Sequence, residues 1–443
     1  MAQQWLIDVK ARFHSERVDS GPKDVSIYTV PDFLLHLKQN AYVPQMVSIG
    51  PLHHGNTTLS PMLTHKIHAV DTMFRRFRSP GATNSEFEDQ VIAPIMALVP
   101  NVRECYQQEI LFDDETLAWI LTLDACFILK ILRALSSGTN SDRSFFNRNI
   151  IEYTAYPVIS DILMLENQIP FFVLLEILQL EFAKDERDAS NELCILLDGA
   201  RLTRLFYPFK ERTASWLQRG IPEGHTVNHL LDLFRMLVIY SSFPDEETIC
   251  KFNSSMAPRK KEILIPSASE LSRAGINFKR VEGKFEKIGI KKNTFYLPRI
   301  RISSSIETVL RNLMALEICE ADDMCVISRY VGLMCELIDS EKDVYVLKKA
   351  GIIKSYLGSN SEVAEMFNSI SKGITRSYSD PFSKVREDAH NHYHSKIKVM
   401  VAEFANDHCS RPWRTASLIG ASLLLLLTAL QTIFSLHHRI LAN

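Results

Sequence analysis

A chain of 443 residues is longer than one ordinary core supports and implies two domains or one large helical body. Its 46% hydrophobic and 23% charged residues exclude a largely disordered protein. With 50 basic against 52 acidic residues the formal charge is −2, which leaves no electrostatic footprint for nucleic acid, and none is expected as a partner.

Residues 1–25 are polar and read as a flexible N-terminus, where Asp8, Lys10 and Arg12 interrupt any signal-peptide run. Pro31 suits the first turn of a short helix through Phe33, Leu34 and Leu37. The next block, Tyr42-Val-Pro-Gln-Met-Val-Ser-Ile-Gly-Pro-Leu-His-His-Gly, must be extended and turning, because Pro44, Gly50, Pro51 and Gly55 punctuate it. Leu63, Ile67, Val70, Phe74 and Phe77 recur at four-three spacing and predict the core face of an amphipathic helix. Further helices are predicted over about 86–108 (interrupted by Pro94 and Pro100), 113–135, 158–182, 189–207 and 226–240, so that 26–240 forms an N-terminal helical part.

Residues 241–262 read as a long loop. In the C-terminal helical part, 263–410, Ser267-x-x-Glu270 is a capping box and Gly275 a helix stop. The stretch 276–302, with Phe278, Val281, Phe285, Ile288, Ile290 and Phe295, predicts a small antiparallel β element. Helices resume at Ser304-x-x-Glu307, at Ser340-x-x-Asp343 (closing at Gly351) and at Ser359-x-x-Glu362, and a last one runs from Asp380-Pro381 to about Asp407.

From Ala416 to Leu436 there is no charged residue, and at 1.5 Å per residue the run would rise roughly 30 Å. This predicts one transmembrane helix followed by the short tail 437–443, hence a tail-anchored, single-pass protein. Lys396, Lys398, Arg411 and Arg414 lie upstream and only Arg439 downstream, which places the body in the cytosol, with the plasma membrane the expected site. The sequons at Asn56 and Asn253 speak for the opposite orientation. Ala416/Gly420 and Ser417/Ala421 are small pairs four apart and Gln431 could bond across helices, so a homo-oligomer is a further expectation, although small residues are common in such helices. The expected fold class is mainly α: a large multi-helix globular body, a small antiparallel β element and one C-terminal transmembrane helix.

Eight scattered cysteines without a C-x-x-C pair read as reduced thiols. His53-His54 is the most catalytic-looking element, a pair that could act as base or metal ligands with His65 and His68 nearby. The plainer alternative is that both imidazoles lock the Gly50–Gly55 turn by bonding to backbone. Glu166-Asn167-Gln168 sits in a very apolar run and reads either as a ligand pocket or as a network bracing the break at Pro170. His390 and His394 share a helix face and could chelate a metal, but a solvated face is the simpler reading. There is no G-x-S-x-G, no phosphate loop, no G-x-G-x-x-G and no H-E-x-x-H, so no catalytic residue, cofactor or metal is assigned.

Several blocks together carry a resemblance. They are Ile27-Tyr-Thr-Val-Pro, the Ala41–Gly55 block, Asp124-Ala-Cys-Phe-Ile-Leu, Asp161-Ile-Leu-Met-Leu-Glu-Asn-Gln-Ile-Pro-Phe-Phe, Ile265-Pro-Ser-Ala-Ser-Glu-Leu, Arg311-Asn-Leu-Met-Ala-Leu-Glu and Pro412-Trp with the Leu-rich run behind it. From about Ile27 to Leu436 the chain resembles the plant-specific family called domain of unknown function 247, as a membrane-anchored member. Ala125 departs from the glycine common there, which touches packing. The resemblance implies a helical body with a C-terminal membrane helix and no defined activity. Some members are tied to pollen-side self-incompatibility, which implies recognition or signalling. The expected function is thus a membrane-anchored recognition protein that binds a protein partner. The rival expectations are an enzyme using the His53/His54 turn and a membrane tether acting by self-association.

Overall fold

The computed structural model describes residues 25–75, 84–136, 157–182, 226–242, 263–281, 285–320, 325–372, 381–395 and 420–433, together with Lys10, Ala189, Glu192, Leu193 and Leu196. Helices dominate these residues, with two small sheets between them. The predicted flexible N-terminus, most of the helix at 189–207 and nearly all of the loop at 241–262 fall outside them.

Helix α1 (Asp32–Leu37) begins directly after Pro31, which has no N–H to lose there. Helix α2 (Leu63–Met73) forms where predicted but turned about its axis. Leu63 and Ile67, expected in the core, are 47% and 45% exposed, while Lys66, Ala69 and Val70 are buried. The apolar count misled because a buried lysine is admitted wherever a carboxylate receives it, as described below. Between 84 and 105 the prolines do not break the helix. Helix α3 (Asn84–Phe87) passes through a π turn (Glu88–Ile92) into α4 (Ala93–Cys105), with Pro94 in the first turn and Pro100 inside. The wider π turn gives room where a proline ring would meet the carbonyl four residues back. Helix α5 (Asp114–Ser136) is buried on most faces, with Leu117, Leu121, Ala125, Phe127 and Leu129 fully enclosed, and α2 and α4 pack on it.

The single helix predicted over 158–182 is two. A short helix α6 at 157–162 ends, residues 163–170 turn, and α7 (Phe171–Phe182) restarts after Pro170 and packs on α5. Helix α8 (Leu230–Ser242) begins at His229, whose ring is fully buried. Its Nδ1 accepts the Asp232 N–H at 3.2 Å, so Nε2 carries the proton and donates to the Ser26 carbonyl at 3.0 Å. Burial pushes this imidazole down from 6.5 to about 4. As pH falls below 6.5 the unfolded chain takes up a proton that the folded chain refuses until about 4. Stability is therefore lost through that window, by up to about 1.4 kcal/mol per pH unit. Unfolding followed between pH 7 and 4 should show this slope, and His229→Asn, which keeps a cap acceptor, should flatten it.

The C-terminal part follows its capping signals closely. Ser267 and Glu270 form the predicted capping box on α9 (Ala268–Arg273), with Gly275 at φ 89° behind it. Strands β1 (Asn277–Val281), β2 (Gly289–Lys291) and β3 (Thr294–Pro298) form a sheet in the order β1-β3-β2. Only β2–β3 is antiparallel, as predicted for the whole element; β1–β3 is parallel. Strand β4 (Ile300–Ile302) leaves this sheet and pairs in parallel with the distant β5 (Ile353–Ser355), a partner that local alternation cannot reveal. Helices α10 (Ile306–Cys319), α11 (Val326–Leu337), α12 (Glu341–Lys349) and α13 (Asn360–Ser371) pack together, and α14 (Ser383–Tyr393) lies against β2. Ser340/Asp343 is a capping box and Ser359 caps α13, but the Ser304 signal is not used: α10 starts at Ser305 without a side-chain cap. One continuous apolar core runs from Ile27 to Ala389 and joins both predicted parts.

The transmembrane helix expected over 416–436 is not supported. Its described portion, α15 at 420–433, holds Gly420 and Gln431. Among the described residues no helix is long and apolar enough to cross a membrane. The tail-anchored, single-pass placement and the body orientation built on it are withdrawn with that helix. Ala416, Leu436 and residues 437–443 lie outside the described residues.

Candidate functional site

Residues 43–50 form an irregular, bending segment without a strand partner among the described residues, so its backbone groups must be satisfied in another way. Pro44, buried, holds Val43 away from helical angles. Side chains from three later elements then take the N–H groups one after another. The Asp161 carboxylate at the end of α6 accepts from Gln45 (3.0 Å), Met46 (2.5 Å) and Val47 (2.9 Å). Asn167 Oδ1 accepts from Ile49 at 2.6 Å, and Asp124 Oδ2 on α5 accepts from Gly50 at 2.7 Å. The carbonyls are served too: Asn167 Nδ2 donates to Val47 O at 3.0 Å, and Lys66 Nζ donates to Ser48 O at 2.6 Å. Lys66 also pairs with Asp124 Oδ1, an ion pair with side-chain exposures of 7% and 1%. Burial pushes the Asp124 carboxyl up, and Lys66, the Gly50 N–H and the charge of His54 pull it back. Asp161 shows the same balance, burial against three backbone N–H bonds.

Glu166, Asn167 and Gln168 brace the break before Pro170. Gln168 Nε2 donates to the carbonyls of Ile162 and Met164 at 2.6 and 2.7 Å, its Oε1 accepts the Leu231 N–H at 3.1 Å, and its own carbonyl accepts the Tyr106 hydroxyl at 2.8 Å. Glu166 Oε1 accepts the Val30 N–H at 2.7 Å. The backbone at Leu165 donates to Asn312 Oδ1 at 2.9 Å, and Asn312 Nδ2 reaches Ala41 O at 2.8 Å, which ties α10 to the same hub.

The turn 50–55 closes over this hub. Gly50 at φ 74° and Gly55 at φ 86° bracket it, Pro51 is buried, and the His54 N–H donates to Pro51 O at 3.2 Å. The two imidazoles diverge. His53 Nε2 lies 3.5 Å from Glu166 Oε2, whereas the His54 ring meets Phe112 edge-on at 5.4 Å. Partial burial holds His54 below its ordinary value, with Lys66 adding to this and Asp124 opposing it. Among the described residues no group of three His, Cys, Asp or Glu is placed to hold a metal. His390 and His394 stand with ring centroids 4.2 Å apart.

Sequence reading singled out Asp124, Glu166, Asn167 and Gln168 but passed over Asp161, Lys66, Tyr106 and Asn312. Asp161 and Asn312 interrupt apolar runs, a signal that could have found them, whereas Lys66 and Tyr106 stand among polar neighbours that carry none. Glu317 is a fifth: buried, it accepts the N–H groups of Ile327 and Ser328 at 2.9 and 2.8 Å and so caps α11.

The profile of DUF247, described as plant protein of unknown function, matches residues 27–427. Two UPF0481 proteins of Arabidopsis thaliana are similar along their length. At3g02645 is 27% identical, covering 98% of this chain and 94% of its own; At3g47200 is 27% identical, covering 93% and 86%. No solved structure matches. The profile spans residues 43–50, the Asp124 helix and the Asp161–Pro170 break that together build the hub, and on that span the chain belongs to the DUF247 family, plant proteins of unknown function.

Proposed function

We propose that this chain is a recognition protein without catalytic chemistry, whose helical body binds a protein partner. One observation carries the reading: the polar side chains of the signature blocks are engaged in holding backbone. Asp124, Asp161, Asn167 and Gln168 direct their oxygens and nitrogens at main-chain groups of residues 45–50, 161–168 and 231, and His53 and His54 point apart. A general base needs a free lone pair facing a substrate, and a metal needs converging ligands. The divergence of His53 and His54 speaks against a shared metal site at the turn and supports the recognition reading.

Crosslinking of the full chain in plant cells tests this. Saturable crosslinks to a partner protein should persist in His53→Ala and His54→Ala. Substrate turnover by the purified chain, lost in His54→Ala at unchanged melting temperature, would replace this reading with the enzyme reading.

A further inference from the structure

The stretch His390-x-His392-x-His394 divides its histidines between two faces of α14. His392 is buried, and its Nε2 donates to the Ala274 carbonyl at 3.0 Å, so its ring is taken up by the fold. His390 and His394 lie on the other side, His390 half-buried and His394 exposed. Both have helical backbone, since the His394 N–H donates to His390 O at 3.0 Å and His394 keeps φ −84° and ψ −1°. Four residues apart on a helix is one turn, and side chains so spaced meet. Here they touch: the ring centroids are 4.2 Å apart and the planes tilt by 52°. Tyr393 meets the His394 ring edge-on at 5.4 Å, which limits how that ring turns.

Among the described residues no hydrogen-bond or ion-pair partner engages the ring nitrogens of His390 and His394. Two imidazoles in contact thus offer two nitrogen lone pairs at one place. Nitrogens bound to one tetrahedral ion at about 2.0–2.1 Å stand about 3.4 Å apart. Rings with centres 4.2 Å apart reach that spacing by side-chain rotation, with the backbone as it stands. Charge favours a cation here as well. From Glu387 to Ser395 there are two acids and no lysine or arginine. Glu387 is exposed on the same face, three residues before His390 and seven before His394. The pair also sits on the last turn of the helix, where the macrodipole is negative.

We infer that His390 and His394 form a two-histidine clasp for a divalent transition-metal ion, zinc foremost, on the last turn of α14. Imidazole nitrogen selects zinc, nickel and copper over magnesium and calcium, which take oxygen ligands. Once one nitrogen binds, the other is already beside the ion, and the second bond forms as an intramolecular step. Among the described residues no third His, Cys, Asp or Glu stands with the pair, so water fills the remaining positions. A structural zinc site closes with four protein ligands. With two, this site fills and empties as the free ion rises and falls, and when filled it pins the end of the helix that lies against β2. The inference is independent of the recognition reading.

Isothermal titration of ZnCl2 into the metal-free full chain is the test. One zinc site should weaken at least about tenfold in His390→Ala and in His394→Ala, at unchanged melting temperatures without metal. NiCl2 should occupy the same site and MgCl2 should not. Adding Asn391→His to His390→Ala restores a pair on one face, three apart, and should recover binding, whereas adding Ser395→His to His394→Ala places the pair five apart and should not. Zinc should also shield His390 and His394 from diethyl pyrocarbonate, read residue by residue in a mass spectrometer, while the exposed His36 stays reactive. An identical set of zinc sites in the native chain and in His390→Ala/His394→Ala overturns the inference and assigns the ion to other side chains, the free cysteines first. Recovery by Ser395→His overturns it too, because binding would then need no shared face. Labelling of both histidines undiminished by zinc does the same.

Discussion

Gly50→Ala should destabilise the protein by about 4 kcal/mol or more, enough for the chain to lose its native fold in part or whole. Two effects add at this position. At φ 74° an L side chain is strained by about 1–2 kcal/mol. The new Cβ would also lie 2.4 Å from the backbone carbonyl oxygen of Gln168 and 3.0 Å from the Tyr106 hydroxyl. That carbonyl cannot retreat, because Gln168 is held at four other points. Relief would require moving Gly50 itself, which breaks its hydrogen bond to Asp124. Gly55→Ala separates the two effects, since its φ of 86° carries the strain but nothing lies within 4 Å of the added carbon. It should cost only about 1–2 kcal/mol. Denaturant midpoints of the two variants make the comparison, and equal losses would show that the contact with Gln168 is unimportant.

Lys66→Met should cost about 3–5 kcal/mol, because it leaves the Asp124 carboxylate buried without its cation and the Ser48 carbonyl without its donor. Adding Asp124→Asn should recover much of that loss. The amide oxygen still accepts the Gly50 N–H, and the uncompensated charge is gone. A coupling of about 1–3 kcal/mol is therefore expected in the double-mutant cycle, measured by urea unfolding. Additive losses would mean that the pair is not the unit that holds residues 48–50.

What could be read from the sequence, and what could not, divides along physical lines. Capping boxes at Ser267 and Ser340 and the glycine stops at Gly275 and Gly351 are local chemistry, and they appear where predicted. The break at 163–170 was hinted at by Pro170 but drawn as continuous helix, since an apolar run hides a turn whose polar groups are satisfied internally. The face of α2 was misread because periodicity treats Lys66 as a solvent residue, and only the distant Asp124 makes its burial tolerable. The β4–β5 pairing was illegible for the same reason, its partners being about fifty residues apart. The C-terminal run was read as a span from its composition, but among the described residues no helix is long and apolar enough to cross a membrane. At the hub, the Gly50 block and the Leu165–Pro170 block were each recognisable in isolation. Their union, one supplying bare backbone and the other the side chains that satisfy it, needed coordinates.

That union also sets a clock. Ile49 leaves the ribosome 118 residues ahead of Asn167, the residue that receives its N–H. At about 5–20 residues per second the wait is roughly 6–24 s. Throughout it the segment 43–50, with Val43, Met46, Val47 and Ile49, lacks the side chains that later take up its backbone groups, an opening for chaperones to bind. Translation speed between codons 50 and 170 is thus part of how this protein reaches its native state.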